Sequence, residues 1–209
     1  MPVDLQRELE SLLDAACDGA TVLTGNTRAS RFLLAACDQR LGKNARAWET
    51  PDILPLSTWV QRSFRQAQVA GASELVLLNN RQSLSVWKQS IAESPGLTDL
   101  LRPSNASGHA AQAWTLVNAY RIPLSSAFES TVQAKAFAAW AKRYRHTCSR
   151  KGWTDSARVA DDLSNCLSSV SSILPREIHL WGCGDLTPQV SQLMAALKSA
   201  AARSKSCCS

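Results

Sequence analysis

The sequence predicts an α/β protein dominated by helices, and three observations carry that expectation. A β-branched apolar stub, "TVLT" at 21–24, runs through Gly25-Asn26 into a helical pattern. A second strand, turn and helix signal, "REIHLWGCGDLTPQVSQLMAALKSA", follows much later in the chain. Between them, residues 73–173 are patterned almost wholly as helix. A small α/β layer, 1–72 with 174–203, is therefore expected to bracket a helical insertion, 73–173, with 204–209 as a frayed tail.

Taken in order, Leu5, Leu9, Leu12 and Leu13 fall on one face of an amphipathic helix over 3–17, stopped by Asp18-Gly19. The short strand at 21–24 leads into a helix over about 28–41 that ends at Gly42. An extended segment broken by Pro51 and Pro55 follows, and Ser57 is placed to cap a helix over 58–70, closed by Gly71. In the helical middle, Leu84, Trp87 and Ile91 mark one face, and Trp114, Val117 and Tyr120 another. Phe137, Trp140, Ala141 and Tyr144 form a stripe on a long helix over 126–150. Breaks are expected at Ser94-Pro95-Gly96, Pro103-Ser104-Asn105 and Pro123. The last helix follows a strand at 177–181, with Thr187 as its cap and Pro188 at its first position.

Hydrophobic content of 45% and charged content of 19% over 209 residues are globular values and exclude wholesale disorder. No apolar run approaches the roughly 20 residues that span a bilayer. The opening Met-Pro-Val-Asp-Leu-Gln-Arg-Glu has no secretory signal pattern, so a cytoplasmic location is expected, with no membrane partner. Cys17, Cys37, Cys148, Cys166 and Cys183 lie singly, and His109, His146 and His179 are scattered. That spacing offers no metal site and fits reduced, buried thiols. Cys207-Cys208 lacks the spacing of a prenylation box.

The turn at 24–31 has the layout of a phosphate-binding loop without its gripping residues. A working loop reads G-x-x-x-x-G-K-[ST], with lysine on the phosphates and a hydroxyl on magnesium. Here Gly25 is present, but Ser30, Arg31 and Phe32 stand at the second glycine, lysine and hydroxyl positions. Arginine is a broad planar fork, and phenylalanine cannot ligate magnesium, so neither ATP nor Mg is expected as cofactor. Two readings stay open: a permissive strand-to-helix turn, or an anion resting on Gly25, Asn26, Arg28 and Arg31 at the helix N-terminus.

Net charge is +6, and its densest part is "AKRYRHTCSRKGW". Lys142, Arg143, Arg145, Arg150 and Lys151, interleaved with Tyr144 and Trp153, suit sequence-independent contact with DNA: cations neutralise phosphates and aromatics stack on bases. The same residues also suit a solvated helix end. Trp59, Trp87, Trp114 and Trp140 sit at helical spacing and read as core. Asp185 reads as orienting the last turn, and Asp161-Asp162 as solvated surface, since adjacent helical side chains diverge by about 100°. No catalytic constellation assembles.

Four segments carry a family resemblance: "TVLTGNTRASRFLLAACDQR", "AWETPDILPLSTWVQRSF", "LVLLNNRQSLSVWKQSI" and "IHLWGCGDLTPQVSQLMAAL". Together they resemble the N-terminal part of bacterial AddB-type "probable DNA repair proteins", relatives of helicase-nuclease subunits. That family has a helicase-like front and a PD-(D/E)XK nuclease domain behind. Thr24, Asn26, Arg28, Arg31 and Leu33 match its T-x-N-x-R-x-x-R-x-L pattern. Trp48, Pro51, Ile53, Leu54, Pro55 and Trp59 match its W-x-x-P-x-I-L-P-x-x-x-W pattern, the most specific of the set. Gly182, Leu186, Thr187, Pro188 and Gln189 correspond loosely to its later turn, where Cys183 and Gly184 depart from the usual residues.

The resemblance implies a RecA-like partial parallel sheet of the UvrD superfamily with a large inserted helical subdomain. It also implies degenerate ATPase machinery, and DNA as partner, with a partner helicase-nuclease subunit as a further one. Because no nuclease motif is present and Ser209 falls well short of the family length, the expectation is a front fragment guiding DNA without catalysis of its own. Two rivals stand beside it: an ATP-binding helicase domain, and a structural module docking a partner subunit through its tryptophan-bearing helices.

Overall fold

A computed structural model describes residues 3–43, 47–94, 103–124, 131–170 and 174–206. Among them are eight α-helices, a three-stranded parallel sheet and a two-stranded parallel pair, so the protein is a helix-dominated α/β chain. No helix among these residues is long and apolar enough to cross a membrane. The chain divides into two compact units, Met1–Ser63 with Ser171–Leu186, and Phe64–Val170 with Thr187–Ser209.

The first unit holds α1 (Val3–Cys17), β1 (Thr21–Thr24), α2 (Thr27–Leu41), β2 (Ile53–Pro55) and β5 (Ile178–Trp181). Strand order is β2-β1-β5, all parallel, with Val22 opposite Ile53 and His179. All four residues of the central strand are buried, as expected for a parallel strand with both faces covered. Leu12, Leu13 and Ala16 of α1 join Leu33 and Cys37 of α2, Val22 and Ile53 in one apolar cluster. Gly19 stops α1 as the sequence indicates: its φ of +97° lets Ala20 N–H reach back to the Ala15 carbonyl at 2.9 Å. Beside β2, Arg62 grips Asp52 through both carboxylate oxygens at 2.6 and 2.7 Å, and Thr21 donates to the same carboxylate at 2.8 Å.

The second unit holds β3 (Val76–Leu77), α4 (Asn80–Ala92), α5 (Pro103–Ala119), α6 (Val132–Arg150), β4 (Trp153–Thr154), α7 (Val159–Cys166) and α8 (Pro188–Ser206). Helices α4, α5 and α6 pack on one another, and α8 packs on α7 and α5. Their core is aromatic. Trp87 lies against Tyr144 with ring centroids 4.1 Å apart and planes 8° from parallel, while Trp114 meets both rings edge-on. Phe137, Trp140, Ala141, Tyr144 and Cys148 are all buried, so the α6 stripe is the core face.

Several local expectations are corrected. The helix α3 (Leu56–Val69) begins directly after β2, so Ser57 lies inside its first turn instead of capping it. Tyr120 is 55% exposed, because α5 ends at Ala119 and Arg121 turns the chain away with a φ of +57°. The middle also contains a parallel strand pair, β3 with β4, too short to show alternation. Residues 204–206 continue α8, where the sequence predicts a frayed tail. Pro103 opens α5, and Pro95-Gly96, residues 126–130 and Cys207-Cys208 lie outside the described residues.

Candidate functional site

Three places concentrate polar chemistry: the turn after β1, the exposed face of α6, and a cleft at the centre of the second unit.

Only Gly25 and Asn26 stand between β1 and α2. Thr24 Oγ1 donates to the Asn26 carbonyl at 3.0 Å, and the Asn26 side chain accepts from Ala29 N–H at 2.9 Å, capping α2. Gly25 N–H donates to the Trp181 carbonyl at 3.3 Å. A Cβ on Gly25 would lie 2.3 Å from the Gly182 carbonyl oxygen, so only glycine fits. In parallel sheets, ligands sit beyond the carboxyl ends of neighbouring strands where the order reverses, here between β1 and β5. That crevice is closed by the Gly25–Gly182 backbone contact. Of the four residues expected at an anion site, Gly25 and Asn26 are committed to packing and capping, whereas Arg28 and Arg31 are exposed one turn apart on α2. A two-residue turn is too short to wrap phosphates in the manner of a nucleotide-binding loop. Burial pushes the Cys183 thiol beside this turn upward in pKa, and the buried Cys37 thiol, beside that of Cys17, is pushed up to about 12; both stay protonated at neutral pH.

On α6, Lys142, Arg143, Arg145 and Arg150 are exposed on the side away from the aromatic core, with Lys135 and His146 between them, and Lys151 follows at the helix end. Arg143 is held by Glu93 at 3.1 Å. Lys151 sits 4.5 Å over the half-buried Trp153 ring. Tyr144 does not belong to this surface. It is fully buried, its hydroxyl donates to Asp155 at 2.7 Å and lies 2.9 Å from Ser83 Oγ. Burial first, then the Asp155 charge, raises its pKa. Its place in the apolar stripe outweighs its place in the basic run. Trp59, Trp87, Trp114 and Trp140 are likewise buried, so they offer no side-chain surface for docking.

Asp155 was not singled out by the sequence, yet it organises the second unit. The residue is 2% exposed and its carboxylate accepts four hydrogen bonds: Trp114 Nε1 at 3.0 Å, Tyr144 OH, and the Ala157 and Arg158 backbone N–H groups at 2.9 and 3.1 Å. An aspartate shortly before an apolar helical run is a helix-start signal, and that signal was available at "TDSARVA". Asp161 and Asp162 are not solvated surface. Asp161 is gripped by Arg121 at 2.5 and 2.8 Å and accepts from Gln189 at 2.9 Å, while Asp162 accepts from Thr154. Burial raises the Asp162 pKa. Asp185 is exposed. Among the described residues no group of His, Cys, Asp and Glu is placed to hold a metal ion.

Comparison of the chain with protein-family models finds no match, and comparison with curated proteins finds none either.

Proposed function

We propose that the chain guides nucleic acid by its phosphate backbone, without sequence readout or nucleotide hydrolysis, as the front part of an AddB-like DNA-repair protein. The observation that carries this reading is the exposed cationic face of α6. Lys142, Arg145, Arg150 and Lys151 project from a helix whose opposite side is fixed by a buried aromatic core. Cations on a rigid helix lose little conformational freedom on meeting a phosphate chain, and each phosphate neutralised releases counterions. The two-residue turn after β1 supports a role without ATP. The strand order β2-β1-β5, with a buried central strand followed by a turn and helix, supports a RecA-like reading of the first unit.

Fluorescence anisotropy with single-stranded and duplex oligonucleotides across a salt series tests the proposal. Binding is expected to weaken with salt. The K142Q/R145Q/R150Q variant is expected to lower the slope of log K against log salt by about 2 to 3, at roughly 0.7–0.9 per lost phosphate contact. R143Q is expected to change it less, because Glu93 already partners that guanidinium. No binding at low salt, or an unchanged slope in the triple variant, would sink the reading.

A further inference from the structure

The cysteines among the described residues are free thiols, and two of them are neighbours. Cys17 ends α1 and packs on the apolar cluster that buries Cys37 of α2. We infer that Cys17 and Cys37 are a peroxide-responsive pair, joined on oxidation by an intramolecular disulfide that staples α1 to α2. This inference concerns the sheet unit alone and does not rest on the α6 reading.

Two observations place the thiols together. The Cys17 side chain is in hydrogen-bonding contact with that of Cys37. Beside them the same two helices are clamped by polar groups: Arg40, one turn after Cys37, donates to the carboxylate of Asp14, one turn before Cys17, at 2.5 Å. The same guanidinium donates to the Glu10 carbonyl at 3.3 Å. Other thiols are engaged differently. Cys166 Sγ donates to the Asp162 and Leu163 carbonyls at 3.2 and 3.3 Å, and Cys183 Sγ lies 3.7 Å from the Leu23 and Trp181 carbonyls.

Exposure sets the order of events. Cys17 is half-buried and open to a small oxidant, whereas Cys37 has no exposed surface. The Cys17 sulfur attacks one oxygen of the peroxide and the O–O bond breaks. Cys17 becomes a sulfenic acid, and its thiol proton leaves with the other oxygen as water. The Cys37 sulfur then attacks the Cys17 sulfur, the S–S bond forms, and the hydroxide expelled takes the Cys37 proton as a second water. Two thiols lose two electrons and the peroxide gains them. Burial keeps Cys37 protonated until that step, so it does not react first. The bond closes a loop that contains the whole of β1, and so restricts the unfolded chain around the central strand.

Trypsin cuts after Arg7, Arg28, Arg31 and Arg40, which leaves the two cysteines on separate peptides, Glu8–Arg28 and Phe32–Arg40. The test treats the full chain with dilute hydrogen peroxide, alkylates the remaining thiols in denaturant, and reads the unreduced digest by mass spectrometry. The expected product is those two peptides joined with loss of two hydrogens, and separated again by dithiothreitol. The oxidised chain should melt about 5–10 °C above the reduced one, a shift that Cys17→Ser removes. Cys37→Ala, which keeps an apolar side chain in the core, should arrest Cys17 as a sulfenic acid captured by dimedone. Cys17→Ser should leave Cys37 open to alkylation. If Cys37→Ala fails to fold, the wild-type digest and Cys17→Ser decide alone. Cys17 driven to a sulfinic acid while Cys37 stays a thiol, Cys17 joined to any other cysteine, or both thiols left unreacted overturns the inference.

Discussion

The two units treat the polar groups at their centres in opposite ways. In the sheet unit, the carboxyl ends of β1 and β5 are sealed by backbone: Gly25 lies against Gly182, and Asn26 uses its side chain on its own helix. In the helical unit, polar side chains are carried inward, and Asp155 gathers a tryptophan, a tyrosine and two backbone donors at the edge of an open cleft. The first arrangement closes the place where parallel sheets usually bind ligands. The second keeps a space beside a network of fixed geometry. The contrast teaches that a strand-turn-helix outline is a poor guide to where chemistry resides when the turn is short enough to cap itself.

The largest effect that would break this comparison is expected at Asp155. Asp155→Ala leaves the Trp114 indole N–H and two backbone donors without an acceptor, and should destabilise the helical unit by about 3–5 kcal/mol, read by urea denaturation. A loss under 1 kcal/mol would mean that the network is not the keystone described here. Next comes a pair of glycines. Gly25→Ala drives a methyl into the Gly182 carbonyl and should cost about 1–3 kcal/mol. Gly108→Ala should be neutral or stabilise by up to about 1 kcal/mol. Equal effects at the two positions would erase the distinction between a sealed turn and an open cleft.

The smallest expected effect is a difference in the sign of pH dependence. Asp52 in the sheet unit has its folded pKa lowered, chiefly by the Arg62 hydrogen bonds. Its contribution is complete above the unfolded value near 3.9 and is lost as pH falls through the folded one. Asp162 in the helical unit has its folded pKa raised by burial. It favours the protonated folded form at low pH, and that advantage is lost as pH rises from about 3.9 through the folded pKa. Thermal midpoints followed over about pH 3–7 should show less acid destabilisation in Asp52→Asn and, in Asp162→Asn, less loss of stability as pH rises. Matching signs would contradict the assignment.

Much of the backbone plan is legible in the sequence because it depends on neighbours in the chain. Thr21–Thr24 is β-branched and apolar, Asp18-Gly19 ends α1, Thr187-Pro188 opens α8, and Phe137, Trp140, Ala141 and Tyr144 repeat at helical spacing. What escaped depends on distant partners. Asp161 and Asp162 look like exposed acids until Arg121, Gln189 and Thr154 are brought to them. Asp155 looks unremarkable until α5 and α6 supply Trp114 and Tyr144. Two-residue strands such as β3 and β4 carry no periodicity, so their pairing has no signature in the chain. Tyr144 belonged to two overlapping patterns, basic and apolar, and burial energy selected the apolar one.

The pairing of Thr21–Thr24 with Ile178–Trp181 also sets an order of events during synthesis. The central strand and β2 leave the ribosome together, but the other neighbour of β1 arrives only after α4 to α7 have been made. Until then, the edge of β1 that pairs with β5, including the Thr21 amide, presents unpaired amides and carbonyls, the geometry that recruits foreign strands. The nascent chain therefore passes through a stage in which its most buried strand is half-paired, and its yield depends on how quickly the helices between finish folding and deliver β5.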